Sequence, residues 1–190
     1  CGDCGLVWVK NRDFAVNHYL YDSIRGTGAA KALHSNTTDS ETSASAYSVN
    51  GGVESFDANG FFAFKGSDGT YQGTNKSGQD YVAWVWKGGG DDVLNEEGTI
   101  DSQVSANTEA GFSIVKYTGN GTTGATFGHG LDEIPQLMLS KRTDTDDNWN
   151  VYTQGTGNTG ILYLNLTDAF TTVSNRFNNT SPTSDVFTLG

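Results

Sequence analysis

The feature that most limits how this chain can fold is a stretch that occurs twice. Residues 6–21 read LVWVKNRDFAVNHYLY, and residues 137–152 read LMLSKRTDTDDNWNVY. At an ungapped offset of 131 (141 − 10), Leu6 falls on Leu137, Lys10 on Lys141, Asp13 on Asp144, Asn17 on Asn148 and Tyr21 on Tyr152. Each copy is an apolar run, a polar turn and a second apolar run, which predicts a β-hairpin. The match resumes with Leu33 on Leu162, Asn36 on Asn165 and Asp39 on Asp168, now at an offset of 129 (165 − 36). Self-similarity at a fixed spacing predicts two copies of one β-module.

Composition agrees with a β chain. There are 25 glycines and only 2 prolines, and aromatic residues make up 12%. Turns must therefore be made by Gly, Asn, Asp, Ser and Thr, and rings supply much of the core. The expected fold is all-β, with two tandem antiparallel β-sandwich modules. Residues 1–90 form copy one, 91–110 a linker poor in apolar anchors, and 111–190 copy two. Residues 40–52 are small and polar and read as an exposed loop. Residues 81–87 (YVAWVWK) are apolar on both alternating faces, the pattern of a central strand buried on both sides. FSIVKY (112–117) leads into Asn120-Gly121, a strong hairpin signal toward residues 125–127. Copy one lacks a strand like FSIVKY ahead of it, and copy two lacks a closing strand like YVAWVWK. Either the polypeptide continues at both ends, or the halves complete one another, or neighbouring chains supply the strands.

Charge narrows the partners. The formal net charge of −11 argues against nucleic acid, whose phosphates require Lys and Arg. No apolar run approaches the roughly 20 residues needed to span a bilayer, so membrane insertion by a helix is not expected. Cys1 and Cys4 have the spacing of a redox pair or half a zinc site. A strand follows them and the histidines are scattered, which favours an incidental pair or a terminal disulfide.

Candidate site residues cluster in the second hairpin. Asp144, Asp146 and Asn148 resemble the opening of a calcium loop. Trp149 and Gly155 stand where an EF-hand needs Gly and Glu, which leaves an irregular Ca²⁺ site or a solvated turn. Trp149 and Tyr152, beside a polar turn, are the rings best placed to stack on a sugar; core packing is the plainer use. Trp84 and Trp86 read as packing residues. Lys10 with Asp13 and Lys141 with Asp144 invite an acid–base reading. A turn contact repeated with its hairpin explains them better, because catalysis has no need of both copies. His129, in Gly-His-Gly, has no nucleophile elbow or second histidine in sequence and reads as a turn residue. Paired carboxylates of a glycan-cleaving enzyme would have to come from Glu54, Glu96, Glu97, Glu109 and Glu133, which do not repeat. No catalytic residue and no cofactor other than Ca²⁺ is expected.

The series GLVWVKNRD (5–13), NHYLYDS (17–23), SNTTD (35–39) and YVAW (81–84) resembles a module of virion proteins from phages of marine bacteria. So does the second series, GFSIVKYTGNGTTGATFGHGL (111–131), LMLSKR (137–142) and LYLNLTDA (162–169). The resemblance covers most of residues 5–190, sparing the linker. It implies a sandwich of the jelly-roll or concanavalin-like type and a tail or tail-fibre location in an extracellular particle. It also implies a non-catalytic role, with other virion proteins, further copies of the chain and a host-surface glycan as partners. A lectin-like carbohydrate-binding module of an extracellular protein is the alternative.

Overall fold

The computed structural model describes residues 4–42, 44–69 and 73–190. The regular structure of the chain is almost wholly short strands. The first part carries β1 (Cys4–Asn11), β2 (Tyr19–Asp22), the short helix α1 (Ala44–Asn50), β3 (Gly52–Asp57), β4 (Gly60–Phe64) and β5 (Tyr81–Lys87). Then come β6 (Val93–Asn95), β7 (Ser102–Asn107), β8 (Phe112–Tyr117) and β9 (Thr126–Gly128). The last part carries β10 (Leu137–Ser140), β11 (Asn150–Thr153), β12 (Gly160–Tyr163), β13 (Thr171–Thr172) and β14 (Val186–Thr188). The sheets run β2-β1-β5, β3-β4, β6-β7-β8, β10-β11-β12-β13 and β14-β9, and every ladder in them is antiparallel. The protein is all-β, its sheets packed face to face.

The repeated stretch folds twice into one hairpin in one register. In the first copy Leu6 faces Asp22, Val7 faces Tyr21, Trp8 faces Leu20 and Val9 faces Tyr19. In the second Leu137 faces Thr153, Met138 faces Tyr152, Leu139 faces Val151 and Ser140 faces Asn150. Each of these pairs is the other shifted by 131. The exit from the hairpin repeats as well. The Gly26 N–H donates to Asp22 O at 2.9 Å and the Gly157 N–H to Thr153 O at 3.0 Å. Both glycines have positive φ (88° and 74°), a conformation that a side chain disfavours. A third segment joins at Leu33 opposite Leu20 and at Leu162 opposite Val151.

Among the described residues three apolar clusters hold the strands. Val7, Val9, Tyr19, Tyr21, Ala32 and Val53 form one between the first hairpin and the β3–β4 hairpin. Tyr152 packs with Ile100, Ala125, Phe127, Phe177 and Phe187 in the second. The third joins the copies: Leu20 and Leu33 of the first meet Trp149 of the second, flanked by Leu6, Trp8 and Leu164. The alternation of β1 therefore serves two cores, with Val7 and Val9 on one face and Leu6 and Trp8 on the other.

Four sequence expectations need correction. The strand flanked on both sides is β1; β5 is the terminal strand of its sheet, and Ala83 to Lys87 are exposed along it. Residues 91–110, expected as a linker, carry β6 and β7, and Ser102, Val104 and Ser105 are buried there. Small residues can do this because their polar atoms are bonded: Ser102 Oγ donates to Gly128 O at 3.0 Å and Ser105 Oγ to Gly90 O at 2.9 Å. The backbone comes so close at this join that a Cβ on Gly5 would stand 2.6 Å from the Gly88 nitrogen. The expected loop at 40–52 contains α1, whose Tyr47 ring stacks on Phe64 at 5.3 Å. Finally, β8 pairs with β7 and β9 with β14, so Asn120-Gly121 does not close a hairpin. Asn120 Oδ1 instead accepts the Thr122 N–H at 2.9 Å, a local turn.

Candidate functional site

The turn of the second hairpin is a seam with the first copy. The Glu41 N–H donates to Thr143 O at 3.0 Å, the Asp147 N–H to Thr38 O at 2.9 Å and the Ser40 N–H to Asp146 Oδ1 at 2.9 Å. Lys141 Nζ donates to Thr38 O at 3.1 Å and to Arg142 O at 2.8 Å. Partial burial lowers the Lys141 pKa, against the pull of Asp147, Asp146 and Asp39. Lys10 does the equivalent turn duty in copy one, donating to Asn11 O and to Phe14 O. The repeated lysine is thus a carbonyl cap in both hairpins, the turn-contact reading of the Lys–Asp pairs.

Trp149 crosses this seam. It is 5% exposed, and its Nε1–H donates to His34 O at 2.8 Å. Its own backbone N–H is held by Asn165 Oδ1 at 2.8 Å, while Asn165 Nδ2 donates to Asn148 Oδ1 at 2.8 Å. The first copy has the same clamp: the His18 N–H donates to Asn36 Oδ1 and Asn36 Nδ2 to Asn17 Oδ1, both at 3.0 Å. Tyr152 is 3% exposed and meets Phe177 and Phe187 edge-on. Neither ring faces solvent, so the expectation that Trp149 and Tyr152 form a stacking platform is overturned. Their positions in the register turn both of them into cores.

The three calcium candidates each have a hydrogen-bond partner of their own. Asp144 is exposed, and both its oxygens accept from Arg142, at 3.2 and 3.1 Å; that bond holds its carboxyl below the usual range. Asp146 accepts from Ser40, and Asn148 Oδ1 is bound to Asn165. Among the described residues no three His, Cys, Asp or Glu side chains gather closely enough to hold a metal ion. Cys1 lies outside the described residues, and with it the question of its pairing to Cys4.

The remaining candidates fall apart in space. His129 is buried, accepts the Leu131 N–H on Nδ1 at 3.3 Å and so donates through Nε2 to Thr183 O at 3.2 Å. Burial is the main cause of its lowered pKa. Glu54, Glu96, Glu97, Glu109 and Glu133 are all exposed; Glu54 lies on β3, Glu96 and Glu97 share the β6–β7 connection, Glu109 lies between β7 and β8, and Glu133 between β9 and β10. A shallow polar cleft of about 350 Å³ opens between residues 87–90 and 106–109. Sequence reasoning missed the 34–41 segment as the second wall of the seam, since its partners lie more than 100 residues away.

Fold and seam together define a class: an all-β protein made from a duplicated hairpin whose copies pack on each other. The chain belongs to the family described as a domain of unknown function (DUF7483), which matches residues 3–190. No curated protein and no solved structure matches it.

Proposed function

We propose that this protein is a non-catalytic structural component of a phage virion, in the tail or a tail fibre. There it contributes to particle assembly or to recognition of the host surface, beside other virion proteins and further copies of itself. The observation that carries the reading is the doubled hairpin, joined by a buried tryptophan and by loop-to-turn backbone bonds. In this construction the repeated polar residues serve turns and clamps. The acidic charge and the resemblance of both motif series to marine phage modules agree with it. The test is particle composition. Virions of the encoding phage, purified on a density gradient, are expected to contain the chain in fixed copy number, and antibodies against it to decorate the tail. Recovery of the chain only in the soluble lysate refutes the proposal.

A further inference from the structure

The two hairpins share a register but differ at one edge. In copy one β1 has β2 on one side and β5 on the other; in copy two β10 ends its sheet. Which backbone groups face that edge follows from the alternation of antiparallel ladders. The Ser23 N–H donates to Gly5 O at 2.9 Å, and its equivalent, the Gln154 N–H, donates to Gln136 O at 2.8 Å. Two residues on, Val7 and Met138 bond inward to β2 and β11. Leu6 and Trp8 therefore turn their N–H and C=O groups away from β2, and Leu137 and Leu139 turn theirs away from β11. In copy one those groups meet β5, where Leu6 faces Trp86 and Trp8 faces Trp84, with the two indoles 5.8 Å apart. In copy two no strand among the described residues pairs with them, and Leu137 and Leu139 are 57% and 38% exposed.

We propose that the outer edge of β10 binds an extended strand, antiparallel and in the register that β5 takes on β1. The occupant has the chemistry of residues 81–87: rings and aliphatic side chains in alternation, with Lys as its one charge. Strand addition of this kind takes its affinity from main-chain bonds and its selectivity from alternate side chains. An edge of Leu-Met-Leu-Ser has none of the charge that usually blunts an open strand. The turn carries a second sign. Asp13 Oδ2 receives the Asp80 N–H, the start of β5, at 2.6 Å. Asp144, its equivalent, is exposed and accepts from Arg142 on both oxygens, a bond that the first amide of an incoming strand would share or displace. The inference stands on the repeat alone and does not depend on where the protein resides.

The probe is a capped peptide of residues 80–88 titrated into the isotope-labelled protein. The expected result is saturable one-to-one binding, with the largest amide shifts and slowed hydrogen exchange at Leu137 and Leu139. By the register, the peptide amides of Trp84 and Trp86 point at β10 and that of Val85 points away. N-methylation at Trp84 should weaken binding by at least about tenfold, and N-methylation at Val85 should leave it unchanged. Both changes are made on the peptide, so the protein's folding is not in question. The proposal is overturned by any of four results. These are absence of saturable binding, equal loss from both methylations, shifts centred on Leu6 and Trp8 through exchange with β5, or a free protein whose Leu139 amide is already protected in a self-associated dimer.

Discussion

Trp149 is the residue on which the joining of the two copies should depend most. Replacing it with alanine removes an indole that is 5% exposed and packed on Leu20 and Leu33, and strips the His34 carbonyl of its donor. Aromatic-to-alanine changes in cores cost about 3–5 kcal/mol, out of a total stability of about 5–15 kcal/mol. For a chain of this length that is a fall in Tm of about 6–20 °C. Trp149→Phe keeps a ring but orphans the carbonyl, at a cost of about 1–3 kcal/mol. The distribution of tryptophan makes the assay specific. Trp8, Trp84 and Trp86 all lie in the first part of the chain, so in either variant the remaining fluorescence reports copy one, while far-UV circular dichroism reports the whole. Urea unfolding followed by both signals should show a single transition, shifted equally for each probe. In a Leu33→Ala by Trp149→Ala cycle, the coupling should be about 0.5–3 kcal/mol. If the fluorescence midpoint stays at its wild-type value while the circular dichroism midpoint falls, the copies are independent and the seam is not what holds them. An unchanged Tm for Trp149→Ala would refute the reasoning outright.

The repeated clamp predicts unequal costs from equal geometry. Asn165→Ala should lower stability by about 1–3 kcal/mol and Asn36→Ala by about 0.5–1.5 kcal/mol, because the Asn36 bonds lie in contact with water; chemical denaturation of the two variants checks the order. Arg25 is buried between Asp22 (2.5 Å) and Glu41 (3.1 Å), so Arg25→Met should cost about 3–5 kcal/mol by leaving the buried Asp22 carboxylate uncompensated, while Glu41 keeps Lys31 at 3.7 Å. Arg142→Ala, at a fully exposed pair, should leave Tm unchanged by calorimetry. Burial lowers the pKa of His18, His34 and His129 below 6.5, so the folded state binds fewer protons than the unfolded chain in mild acid. Stability is then complete above pH 6.5 and declines as the pH falls through the folded-state values. Burial also raises Tyr19 to about 12 and pushes Tyr21 up, so stability should decline again as the pH rises from 10 through those values. A Tm profile flat from pH 5 to 7 would contradict the histidine account.

What could be read in the sequence is what the two copies share. The pairing of Val7 with Tyr21 and of Met138 with Tyr152 follows from aligning LVWVK with LMLSK, because a hairpin's register is local information. The burial of Tyr152 was equally legible: its partner Tyr21 has no exposed surface, and one register cannot turn equivalent residues to opposite faces. A ring beside a polar turn has the chemistry of a binding platform, but its position in the register turns it inward. Strand order was not legible. A run apolar on both faces fits a strand between two layers, and it equally fits an edge strand such as β5, whose neighbours are chosen by contacts 70 to 83 residues distant in sequence (81 − 11 and 87 − 4). Nor was β7 legible, since Ser102 and Ser105 become buried only where Gly128 and Gly90 supply acceptors.

The copies differ in an instructive way. Lys10 and Lys141 cap the same turn carbonyl, and Asn36 and Asn165 make the same clamp, so identity marks residues that build a hairpin. Where the copies depart, one of the two equivalent residues has a partner outside its own hairpin. His18 accepts from the neighbouring Trp8 at 3.0 Å, whereas Trp149 at the same position reaches across to His34. Trp8 meets β5, whereas Leu139 at its place faces an open edge. In a duplicated chain the shared positions thus specify the unit, and the unshared ones specify what each unit is joined to.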